Sequence, residues 1–447
     1  MKRFILTLRE RLWITPTLYS AGAILLSLAM FYVDIQFVGE MTDYLPDILF
    51  TSVDLAKTIM GGLSSALLTM TTFTFSTIMV VLTTYSSQFS PRTLKNFVQD
   101  QMTWRVLGVF MGGFLYNTLS LLFMRDSLYN HMVLSATVGI FIALICLTFF
   151  AIFIHHIATS IQVSTLVEEL TEDAERVISD YTEMGEQYGR KEAMIAQAAA
   201  EWAFHAEVDG YVQWIDFKGL ASFAQQNKAT IEVLVQIGDF IHHDQPAVRL
   251  FAAEKPALSI NEYIVAGKDR DTRQDPEFAL QKLVEVSLRA ISPGINDPNT
   301  AIHNIRNLGR LMGQLSHISG DYFVFADDDG TDRLCYSLRP FHKVLYQTFF
   351  QLRHYGKEDV SVLASITESL IIAAQLSSER VQSDLWKMQL YIIEGMDQNE
   401  LLSLDRAFYQ EKIDKLARTT GEETVQLPVG RSARGNEPEN ELEAKQE

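Results

Sequence analysis

Apolar residues in the first third of the chain run in blocks, and four blocks are long enough to cross a bilayer. A helix rises about 1.5 Å per residue and a hydrocarbon core is about 30 Å thick, so roughly 20 apolar positions suffice. The blocks at 13–33, 58–86, 104–124 and 132–154 meet that length with almost no charge inside them. They predict an α-helical integral membrane domain over residues 13–160. The second block is unusual. Between Lys57 and Arg92 lie 34 uncharged positions, which as one helix would reach roughly 51 Å. Such a segment is tilted, broken near Gly61-Gly62, or continued into water. Ser65, Thr69, Thr72, Ser76, Thr83, Ser87 and Ser90 follow one another at helical spacing along it, with Met79 filling the gap between Ser76 and Thr83. On a helix they share one face, which must meet protein, water or both.

Ahead of the first block, Lys2, Arg3, Arg9 and Arg11 interleave with Phe4, Ile5 and Leu8, which predicts a basic interfacial helix over residues 1–12. Ser90-Pro91 reads as a helix start, with Ser90 as N-cap and Pro91 at the first helical position. Beyond 160 the pattern changes to that of an α+β region. Residues 161–206 form a polar helical connector, and 207–255 alternate as short strands. The run Ile231–Val235 followed by Gly238-Asp239-Phe240-Ile241 resembles the barrel-sandwich hybrid fold of lipoyl and biotinyl domains. Lys218 lies in neither carrier signature, so no attached cofactor is expected. Residues 256–418 return to helix: Phe278, Leu280, Leu283, Val284 and Leu288 make one apolar face, and Ser292-Pro293-Gly294 stops it. Asn296 or Asp297 caps the next helix, with Pro298 in its first turn. Residues 419–447 lack apolar periodicity and are rich in Glu, Gly and Pro, the pattern of a disordered acidic tail.

Charge separates the two halves. Residues 1–160 hold nine Lys/Arg and eight Asp/Glu, leaving 28 basic and 47 acidic residues for 161–447. That surplus argues against nucleic acid and against broad docking on anionic lipid. Basic residues precede the first span and lie between the second and third (Arg92, Lys95, Arg105), whereas Glu40, Asp43, Asp47 and Asp54 fill the first connector. The positive-inside rule then puts both termini in the cytoplasm. Cys146 and Cys335 suggest no disulfide or metal framework. No ionisable residue lies mid-span: Asp34 ends the first block and His155-His156 the fourth. Coupled transporters usually carry such a group, so passive permeation fits better. No nucleophile elbow, P-loop, dinucleotide fingerprint or zinc motif is present, so an enzyme is not expected.

Two motifs carry a family resemblance. They are Ser87-Gln88-Phe89-Ser90-Pro91-Arg92, followed by Trp104-Arg105-Val106-Leu107-Gly108, and Ser292-Pro293-Gly294-Ile295-Asn296-Asp297-Pro298. Over roughly residues 10–410 the chain resembles the bacterial predicted membrane proteins grouped as domain of unknown function 2254. The resemblance implies a protein of the bacterial cytoplasmic (inner) membrane and adds no catalytic residues. In that context Arg270, Arg273, Asp275, Arg289, Asn296 and Asp297 are candidates to surround a small anionic ligand. Ser65, Thr69, Thr72, Ser76 and Thr83 are candidate pore-lining residues of a homo-oligomer, with cations slightly favoured by the acidic half. The competing reading of that stripe is helix packing, or bonding back to its own carbonyls. Gly108 and Gly112 permit close helix approach, and Asn117 is expected to bond across helices. The alternative to permeation is a membrane-anchored scaffold or sensor whose cytoplasmic part binds a protein partner or small ligand.

Overall fold

The computed structural model describes residues 13–38, 44–88, 92, 100–125, 132–160, 162–192, 200–318, 320–396 and 401–427. The expected helix at 1–12, the Ser90 helix start and the part of the expected 419–447 tail beyond 427 lie outside these residues. Residues 419–427 are instead held by the preceding helix, with Leu427 buried and its N–H donating to Gln410 Oε1 at 2.9 Å. The chain divides into two compact units, Met1–Thr165 and Leu166–Glu447.

Four helices of the first unit are long and apolar enough to cross a membrane: α1 (Ile14–Gln36), α2 (Val53–Gln88), α3 (Gln101–Phe123) and α4 (Ser135–Ser160). All four match the apolar blocks of the sequence. Helix α2 is continuous for 36 residues and passes through Gly61-Gly62 unbroken, so it is about 54 Å long. The break allowed by the sequence does not occur.

Helix α3 is the hub on which α1, α2 and α4 pack. Its small residues explain why. A Cβ at Gly108 would stand 2.9 Å from Tyr19 Cδ2 and 3.1 Å from Pro16 Cα. One at Gly112 would stand 3.2 Å from the Tyr19 carbonyl oxygen. The Gly108/Gly112 face therefore meets α1, and Gly113 meets α4 through Cys146. Asn117 departs from expectation: its amide donates to Gly113 O in its own helix at 2.9 Å, and its Oδ1 presses on Gly139 of α4 without a hydrogen bond. A side chain that folds back one turn satisfies its donor locally and needs no neighbour.

One end of the bundle is tied by polar contacts. Asp34, at the end of α1, accepts from Leu134 N at 2.8 Å and Ser135 N at 3.4 Å, and so caps α4 from another helix. Tyr116 OH donates to Ser135 O at 2.9 Å, and Thr51 and Val133 form an isolated antiparallel bridge.

The second unit begins with the remainder of α5 (Val163–Tyr188). Short strands β1 (Gly189–Arg190), β2 (Glu201–His205) and β3 (Gly210–Ile215) follow, then α6 (Phe217–Gln226), β4 (Thr230–Val233), β5 (Phe240–Ile241), β6 (Pro246–Phe251) and β7 (Ile264–Gly267). Helices α7 (Pro276–Ala290) and α8 (Pro298–Leu315) precede β8 (Tyr322–Ala326) and β9 (Asp332–Ser337). The described chain ends with α9 (Phe341–Tyr355), α10 (Val360–Leu376), α11 (Gln382–Glu394) and α12 (Ser403–Thr420).

The β region differs from the self-contained module expected at 207–255. Six strands pair in the order β1-β8-β9-β4-β6-β2, and β5-β3-β7 form a second sheet. Strand β4 pairs in parallel with β9, about a hundred residues downstream, through Ile231 and Leu334. Helix α6, capped by Asp216, intervenes between β3 and β4 and carries Lys218. Alternation along a strand reports that one face is buried but not which strand lies beside it, so the long-range partners were invisible in sequence. The end of the expected helical connector is likewise strand β2, whose exposure alternates residue by residue. Helices α8 and α10 approach closely at Gly309, where an added Cβ would strike the Ser369 backbone.

Candidate functional site

The Ser/Thr stripe of α2 points away from its own bundle. Ser65, Thr69, Thr72, Ser76 and Thr83 are all exposed, whereas the same helix buries Met60, Leu67, Thr74 and Val81. At 100° per residue the two sets lie roughly 180° apart. Packing against this chain's own spans therefore does not account for the stripe. The threonines bond backwards: Thr69 Oγ1 donates to Ser65 O (2.9 Å), Thr72 Oγ1 to Leu68 O (3.0 Å) and Thr83 Oγ1 to Met79 O (2.9 Å). A hydroxyl whose proton is committed in this way presents only oxygen lone pairs outward. The stripe is narrow, edged by exposed Leu68 and Phe75 on one side and Phe73 and Val80 on the other.

The six candidate anion-binding residues of the second unit are engaged in local structure. Arg270 grips Asp275 bidentately, Nε to Oδ2 and Nη2 to Oδ1 at 2.8 Å each. Asp275 also caps α7, accepting from Phe278 N at 2.9 Å. Arg273 pairs with Asp271 at 2.9 Å. Asp297, not Asn296, caps α8, accepting from Thr300 N at 3.2 Å, while Asn296 turns the corner at φ 52°. Arg289 sits in the last turn of α7, where a cation complements the helix dipole. The Ser292–Pro298 motif is thus a helix–helix corner, and these residues do not converge on one pocket.

Asp275 alone of the six lines a cavity of about 220 Å³ within this unit, together with Glu277, Arg339, Tyr181 and Tyr336. Arg339 bridges two carboxylates, with Nε 2.6 Å from Glu277 Oε1 and Nη2 3.0 Å from Asp239 Oδ1. Burial pushes the Glu277 carboxyl up to about 7, with Asp275 adding to the rise and Arg339 opposing it. Burial also raises Asp275 despite Arg270 beside it. Burial disfavours the Arg339 charge, but Glu277 and Asp239 outweigh that and raise its pKa. Glu277 and Arg339 gave no signal in sequence: an acid in a first helical turn is ordinary, and the two residues are joined only by the fold.

Of the adjacent histidines at 155–156 and 242–243, two contact carboxylates. His156 Nε2 lies 2.8 Å from Asp100, the N-cap of α3, and His243 pairs with Asp244 at 3.0 Å.

A family model described as "Predicted membrane protein (DUF2254)" matches residues 9–371. Uncharacterised proteins of Mycobacterium tuberculosis and Mycobacterium bovis are 25% identical over 333 residues, which cover 72% of this chain and 64% of theirs. The match thus spans under two thirds of the length of those relatives. No solved structure matches significantly.

Proposed function

This chain belongs to the DUF2254 family of predicted membrane proteins, and from that premise we propose that copies of it assemble into a passive cation pathway. The observation that carries the reading is the outward Ser/Thr face of α2, unused by its own bundle. Four helices per chain enclose no wide passage alone, so the pathway is a seam between copies, lined by Ser65, Thr69, Thr72, Ser76 and Thr83. Back-bonded threonines offer oxygen lone pairs, which replace part of a cation's hydration shell and repel anions. The acidic second unit supports the same sign of selectivity, since its field concentrates cations nearby. The distribution of Lys and Arg around the spans supports an inner-membrane protein with both termini cytoplasmic. The second unit is then the regulatory part, and no catalytic residue is required.

Cation flux into liposomes containing the purified protein tests the proposal. Replacing Thr72 and Ser76 with Leu should lower flux severalfold or more without loss of folded protein. Absence of flux, or flux indifferent to both changes, would remove the assignment.

A further inference from the structure

The cavity of the second unit is assembled from α5, the start of α7, the end of β9 and the start of α9. Its charges are unequal. Of the lining residues, Asp275, Glu277 and Asp321 stand against Arg339 and Arg380, with Arg270 and Asp239 bound behind Asp275 and Arg339. Arg270 is used by Asp275 and Gln281. Arg380 donates to Ile318 O at 3.1 Å and lies 3.9 Å from Asp321. Arg339 is shared between Asp239 and Glu277. Among the described residues no hydrogen bond of good geometry reaches the Glu277 carboxylate, although Arg339 Nε stands 2.6 Å away. Burying an incompletely compensated carboxylate is costly unless something cationic completes it.

The other walls are apolar and aromatic: Ile237, Leu315, Phe341 and Val344, with Tyr181 and Tyr336. Both tyrosine hydroxyls are occupied, Tyr181 donating to Gln274 O at 2.8 Å and Tyr336 accepting from Ile237 N at 3.1 Å. The rings are therefore held in place, and aromatic rings attract cations through their faces. The volume of about 220 Å³ falls below the roughly 300–1,000 Å³ of drug-sized sites, which restricts the occupant to a small molecule.

We infer that this cavity binds a small organic cation, an ammonium compound of about the size of choline or putrescine, with Glu277 as its counter-charge. The ammonium completes the Glu277 carboxylate, whose one cation, Arg339, is shared with Asp239, and its alkyl part lies on the apolar and aromatic wall. The site is independent of the α2 pathway, so loss of flux and loss of binding are separate outcomes.

Binding has a built-in pH dependence. Glu277 is faced by Arg339, Asp275, Arg270 and Asp239, with Tyr181 and Tyr336 nearby. Its carboxyl titrates near 7, so it is mostly ionised at pH 8 and mostly neutral at pH 5.5. Affinity for a cation should fall at least about ten-fold between them.

The test is calorimetric titration of the full chain in detergent with choline and with putrescine. The neutral choline isostere 3,3-dimethylbutanol and inorganic phosphate serve as comparators. Choline or putrescine is expected to bind at pH 8, weaken about ten-fold or more at pH 5.5, and weaken likewise in E277Q. In R380A binding should hold or tighten, because Asp321 loses its nearest cation. The pH arm needs no variant, so a misfolded E277Q would not leave the question open. Silence from both cations at pH 8, equal affinity for the neutral isostere, or unchanged affinity at pH 5.5 would overturn the proposal. Phosphate binding abolished by R380A would instead make this an anion site.

Discussion

Asp34 and Glu277 are largely buried carboxylates, and each is tolerated for a different reason. Asp34 is 4% exposed, yet it accepts two backbone N–H groups at the start of α4. It is a helix cap supplied from another helix. Asp34→Ala strands those donors and should cost about 1–3 kcal/mol. Asp34→Asn keeps one acceptor and should cost less. Thermal unfolding of the detergent-solubilised protein orders the two variants, and an alanine variant as stable as wild type would contradict the cap. Glu277 has no such donors and is raised by burial from 4.5 to about 7. The folded state therefore holds a proton that the unfolded state releases. Its contribution to stability is complete below pH 4.5 and is lost as pH climbs to about 7. The unfolding temperature of the second unit should fall over that window, and E277Q should flatten the slope. A wild-type curve that rises there would contradict the burial of this acid. Sequence revealed Asp34 as the end of an apolar block but not its function, because the capped helix starts a hundred residues later.

At the scale of elements, what was legible depended on how local the signal was. The four blocks became four helices because twenty or so apolar residues satisfy the length requirement by themselves. The Gly108/Gly112 spacing foretold a close contact but not its partner, which proved to be α1 at Pro16 and Tyr19. The β region was misjudged in extent because β4 finds β9 across two intervening helices. The cavity was not legible, since Glu277 and Arg339 meet only once α7 and β9 are docked. The helix seam yields a sharp contrast. Gly112→Leu drives a side chain into the Tyr19 backbone oxygen, which cannot rotate away, and should cost about 2 kcal/mol or more. Gly22 lies on α1 with nothing within 4 Å of its Cβ position, so Gly22→Ala should be neutral or stabilising by up to about 1 kcal/mol. Comparison of their unfolding temperatures checks both, and equal behaviour would deny the seam.

For the whole molecule, the open matter is what covers α2. Its stripe is too polar to be ordinary lipid-facing surface, yet each threonine has satisfied its own proton within the helix. A lone back-bonded threonine sits in lipid at small cost. A row from Ser65 to Thr83, interrupted only at exposed Met79 and edged by Phe73, Phe75 and Val80, fits the meeting of two copies better. Cysteine chemistry separates these cases because both native thiols, Cys146 and Cys335, are buried. Thr72→Cys in native membranes should form disulfide-linked dimers under mild oxidation. Leu144→Cys, on the exposed side of α4, should not. Cross-linking at Thr72 alone gives the copies a seam along which cations pass, and the flux experiment then decides whether they do. If neither variant cross-links, α2 faces lipid, the pathway has no second wall, and the acidic unit with its cavity becomes the functional part of a membrane-anchored sensor.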